Sequence, residues 1–96
     1  MKSAKATLID NLIKENEDIL LASFDLRGIA KSKFKSQKIM EIIKSLSGDL
    51  IDNVQLFFEE LHEFYVNDKQ FIGFSEEQIA KFIENERSFI MVKAVS

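Results

Sequence analysis

Glu59 and His62 stand three residues apart. On a helix that spacing puts a carboxylate and an imidazole on one face, the half-site that di-iron four-helix bundles use twice. The chain has a single histidine, so a second half-site would have to come from a second copy. The pair therefore reads as a boundary histidine beside a solvated carboxylate, and no metal ligand is expected. There is no cysteine, which removes disulfides, thiolate metal sites and thiol nucleophiles together. No glycine-rich phosphate loop and no zinc-type spacing is present. With so few groups for a nucleophile–base arrangement, the expectation is a protein that is not an enzyme and needs no cofactor.

Charge is the more informative pattern. Between positions 27 and 44 the cations Arg27, Lys31, Lys33, Lys35, Lys38 and Lys44 face only Glu41. Between 49 and 86 ten acids face only Lys69 and Lys81. The net charge of -3 thus hides a basic segment on an acidic body. Laid against acidic helices, that segment neutralises them. Facing outward, Lys31, Lys33, Lys35 and Lys38 would contact nucleic acid. In that reading positions 26–43 form a degenerate helix-turn-helix whose second helix starts at Ser36. Phe34 stands where the turn favours glycine, and Lys35 stands at the following apolar position. Dedicated nucleic-acid binders are also usually basic overall.

The alternative partner is another protein. Phe71, Ile72 and Phe74 make an apolar group in a connecting segment, which marks an interface if they are exposed together. Glu59, Glu60, Glu63, Glu76 and Glu77 supply an acidic face that would steer a basic partner. A non-enzymatic protein-binding module (a small regulator, inhibitor or adaptor) is the leading functional expectation, with the nucleic-acid reading behind it. A homodimer is a further option.

The elements that must position these residues are helical. Proline is absent and the glycines fall only at Gly28, Gly48 and Gly73, where they punctuate four segments. The first carries Ile9, Leu12, Ile13, Ile19, Leu20 and Phe24 at helical spacing, with Ser3 or Thr7 as its cap. Asn16 sits on this stripe and reads as a boundary residue. Ile39, Met40, Ile42, Ile43 and Leu46 mark a second helix ending at Ser47-Gly48. A third begins at Asp49 and carries the cleanest stripe: Leu50, Val54, Phe57, Phe58, Leu61, Phe64 and Tyr65. It belongs at the centre. Ser75 and Gln78 spell a capping box, with Phe74 and Ile79 placed as its hydrophobic staple. The last helix then runs through Ile79, Phe82, Ile83, Phe89 and Ile90. The tail from Phe89 to Val95, rich in apolar and β-branched residues, is expected to end as an extended strand or as a dimer contact.

At 96 residues, with 46% hydrophobic and 30% charged residues, the chain suits one globular domain over 1–96. Nine of its ten aromatics are Phe, which adds apolar area without polar atoms to satisfy. The fold class expected is all-α, a small antiparallel bundle of about four helices. No apolar run approaches the roughly 20 residues of a membrane span. No signal-peptide pattern is visible, and the lack of cysteine suits a reducing cytoplasm.

Overall fold

The computed structural model describes residues 2–21, 33–67 and 73–95. Among the described residues there are five helices and no strand: α1 (Ala4–Glu15), α2 (Glu17–Leu21), α3 (Lys33–Ser45), α4 (Leu50–Asn67) and α5 (Glu76–Val95). The chain is a small all-α bundle.

Local chemistry accounts for most helix ends. Ser3 caps α1, its Oγ accepting from the Ala6 N–H at 3.1 Å. Asn16 separates α1 from α2. Its side-chain amide donates to the Leu12 carbonyl at 2.7 Å, and its own carbonyl accepts from the N–H groups of Ile19 and Leu20. Asn16 is thus a half-buried joint that serves both helices. At the turn before α4, Gly48 has φ +97°, a backbone region costly for any residue with a Cβ. A Cβ there would also stand 2.8 Å from Lys5 Nζ. Asp49 then caps α4, its carboxylate accepting from the Asp52 N–H at 3.0 Å. The capping box of α5 is reciprocal: Ser75 N–H donates to Gln78 Oε1 at 2.8 Å, and Gln78 N–H to Ser75 Oγ at 3.1 Å. Gly28 lies outside the described residues.

The core is one cluster drawn from all five helices, and α4 sits at its centre. Val54, Phe57, Phe58, Leu61 and Tyr65 are each at most 1% exposed. The Phe57 and Phe58 rings meet edge to face at 5.2 Å, and α4 touches α1, α3 and α5. Around it pack Ile9 and Ile13 of α1, Leu20 of α2, Ile39, Ile42 and Ile43 of α3, and Ile79, Ile83 and Ile90 of α5. Each such side chain removed from water contributes about 1.5–3 kcal/mol. Phe74 packs against the same cluster, with its ring 6.1 Å from that of Phe82. One corner is pinned by polar bonds. Asn53 is 1% exposed; its amide nitrogen donates to the Ser47 carbonyl at 3.1 Å, and its Oδ1 accepts from Lys5 Nζ at 2.9 Å.

Three expectations need correction. The tail is helical to Val95 rather than extended, because Ile90 is buried and Met91 and Ala94 pack on the core, holding the helix in place. Phe89 does not join the core stripe: it is 53% exposed. It stands seven residues beyond Phe82, on the same side of α5. Phe74 covers Phe82, whereas at Phe89 the Lys93 ammonium lies over the ring at 4.8 Å. The helix-turn-helix register also fails, since Phe34 and Lys35 already lie inside α3 and the second helix does not wait for Ser36.

Candidate functional site

Among the described residues, two constellations bring chemistry-bearing side chains of α4 and α5 together. The first is a buried knot where four helices meet. Lys35 of α3 is 1% exposed. Its ammonium donates to the Tyr65 hydroxyl of α4 at 2.7 Å and to Glu86 Oε1 of α5 at 3.1 Å. It stands 3.1 Å from Oε2 of the same carboxylate. Among the described residues the phenol's one proton has two acceptors in reach: the Leu20 carbonyl of α2 at 3.2 Å and Glu86 Oε1 at 3.4 Å. The ammonium also lies 5.3 Å from the Tyr65 ring centroid.

Burial dominates the electrostatics of the knot. It pushes the Lys35 ammonium down to about 8 against the opposing pull of Glu86. It raises Glu86 above its ordinary value in spite of Lys35 and Tyr65. Tyr65 is driven well above 10.0 by the same loss of water, and the neighbouring carboxylate adds to the rise. Removing charge from water costs several kcal/mol per ion, and each group is stabilised by the other two. A lysine of this kind resembles a tuned catalytic amine. Here its donors are committed to Tyr65 and Glu86, so the arrangement ties helices together.

The second constellation is an open hollow of about 410 Å³ between α4 and α5. Its floor is Phe58 and Ile83, and its sides are Gln55, Glu59, His62 and Arg87. Glu59 and His62, three apart on α4, do share this wall, as their spacing implied. His62 Nε2 is buried without a hydrogen-bond partner, which is uncommon for a buried polar atom. Arg87 is committed to Glu84 one turn earlier, its Nε donating at 3.2 Å; that contact holds Arg87 up and Glu84 down. Among the described residues, no three His, Asp or Glu side chains converge as a metal site requires.

The residues singled out from sequence scatter. Lys35 is not a surface contact for nucleic acid, because its ammonium is spent inside the knot. Lys38 is partly exposed and paired with Glu41 at 3.4 Å. Lys33 begins α3, and Lys31 lies outside the described residues. Glu60 is not part of an open acidic surface: it is 6% exposed and holds Lys2 at 3.1 Å. Glu63 is exposed and takes the same ammonium at 3.4 Å. Lys2 is raised chiefly by its hydrogen bond to Glu60. Glu59 remains exposed on the hollow. Phe71 and Ile72 lie outside the described residues, and Phe74 is half-buried against the core. Sequence reasoning missed the pairing of Glu86 with Lys35, and it missed Gln55 and Arg87 as walls of the hollow. The local signal for Arg87 was its spacing from Glu84; nothing local marked Glu86.

No helix among the described residues is long and apolar enough to cross a membrane. The chain matches no protein-family model, no curated protein sequence and no solved structure.

Proposed function

We propose that this chain is a non-enzymatic protein-binding module, a small regulator, inhibitor or adaptor of the cytoplasm. The observation that supports it is the last two turns of α5. Phe89, Val92 and Val95 are 53%, 65% and 63% exposed, while Ile90, Met91 and Ala94 pack inward. From Phe89 to Val95 the only polar residue is Lys93. A helix apolar on every side is usually covered on every side, and exposed apolar patches mark protein contacts. The acidic balance of the chain then favours a partner with a basic surface.

The test is recovery of a partner from the native cell on the immobilised full chain at low and moderate salt. A specific complex persists at moderate salt and is lost with Phe89→Asp, whose fold is checked by circular dichroism. If Phe89→Asp and Val95→Asp retain every bound protein, the reading fails. Nucleic acid is the other partner class, and the burial of Lys35 leaves that reading without its central contact. A complex that dissolves under nuclease and moderate salt would restore it.

A further inference from the structure

The hollow between α4 and α5 has walls that neither the bundle's packing nor its ion pairs employ. Glu59 makes no hydrogen bond or ion pair among the described residues and is exposed. Across the same hollow, Arg87 is neutralised by Glu84. The local charge account therefore leaves one carboxylate over, above an apolar floor of Phe58 and Ile83. Gln55 and His62 add polar atoms to the rim, and His62 Nε2 is an unspent one. A volume of about 410 Å³ falls in the range of ligand clefts, roughly 300–1,000 Å³. The hollow is open, so it covers an occupant on one side and leaves the other side attached to something larger.

We infer that this hollow seats an arginine side chain of the protein partner, its aliphatic stem over Phe58 and Ile83 and its guanidinium on the Glu59 carboxylate. The inference rests on the protein-binding reading and names the partner's chemistry at a second place on the surface. Arginine fits better than lysine for two reasons. Its planar fork meets a carboxylate with two parallel hydrogen bonds, and its stem and plane cover apolar and aromatic surface. Its remaining donors face Gln55 and His62 rather than solvent. Arginine is also among the residues that dominate interface energetics when seated in a pocket. A carboxylate-bearing occupant would meet Glu59 uncompensated, and a purely apolar one would bury that charge unpaired.

The experiment is an NMR titration of the isotope-labelled full chain with the capped peptide acetyl-Leu-Arg-Leu-amide. Acetyl-Leu-citrulline-Leu-amide, the same shape without charge, and free acetylarginine amide are run beside it. The expected result is a saturable shift centred on Phe58, His62 and Ile83. Affinity should fall about tenfold for the citrulline peptide, equivalent to about 1.4 kcal/mol, and by a similar factor for Glu59→Gln. Equal binding of the citrulline peptide, no effect of Glu59→Gln, shifts centred on Glu76 and Glu77, or no saturable shift would each overturn the inference. If acetylarginine amide binds as tightly as the tripeptide, the hollow is a site for small free cations and the commitment to a protein falls. The broader reading is judged separately: loss of the captured partner with Phe89→Asp but not with Glu59→Gln keeps it and discards the arginine seat.

Discussion

Two neighbouring turns of α5 treat polarity in opposite ways. Glu86, a carboxylate, is turned inward with its side chain 11% exposed. Phe89, one turn on, is turned outward at 53%. Neither residue type decides this. Glu86 meets Lys35 and Tyr65 at the junction of α3 and α4, and these satisfy it. At Phe89 the aromatic cover that Phe74 gives Phe82 is replaced by the Lys93 ammonium. Burial in a bundle this small follows what stands opposite a position, and hydrophobicity alone is a poor guide at its ends.

The contrast implies an order of mutational costs. Lys35→Met or Glu86→Leu alone should be the most damaging, about 3–5 kcal/mol, because each removes one charge of a buried ion pair and leaves the opposite charge without it. The double variant should recover most of that loss in a urea-unfolding cycle; if the losses simply add, the pair is not the unit described. Tyr65→Phe comes next. It leaves the Leu20 carbonyl without its donor and Lys35 short of an acceptor, at about 1–3 kcal/mol by the same measurement. Phe89→Asp should change the unfolding midpoint least, within about 0.5 kcal/mol as for other surface sites. A cost near that of Lys35→Met would erase the distinction between the two turns.

The pH dependence sharpens the same comparison. Lys35 releases its proton near 8 in the fold and near 10.5 when unfolded. Between those values the unfolded chain holds more protons, so this group makes stability rise with pH. Tyr65 acts in the opposite sense. Its folded value lies well above 10.0, so its contribution is complete below 10 and is lost as pH climbs beyond. Urea midpoints should therefore rise from pH 8 towards 10 and fall above it. Lys35→Met should flatten the rise, and Tyr65→Phe should soften the fall.

Features encoded within a few residues could be read from the sequence. The Asp49 cap, the reciprocal Ser75–Gln78 box and the α4 stripe from Leu50 to Tyr65 each depend on neighbours one to four positions away. Asn16 was legible as a boundary residue, but its service to two helices was not. The fate of Lys35 depends on a carboxylate 51 positions along and that of Glu60 on the sequence-distant Lys2. Long charged side chains look alike in sequence whether their heads reach water or a partner. The basic segment therefore appeared as one feature, whereas the fold spends Lys35 inside and leaves Lys38 on the surface. Gln55 and Arg87 share a wall only because α4 and α5 pack together, a relation that no periodicity within either helix carries.

The chain has no tryptophan and one tyrosine, and that tyrosine sits in the buried knot. The protein thus has an intrinsic optical reporter at the place where α2, α3, α4 and α5 meet. Without indole overlap, the long-wavelength side of its near-ultraviolet circular dichroism and its emission report Tyr65, since the weaker phenylalanine bands lie at shorter wavelength. Opening of the knot can accordingly be followed in the unlabelled chain, and compared with the backbone signal in the same cuvette.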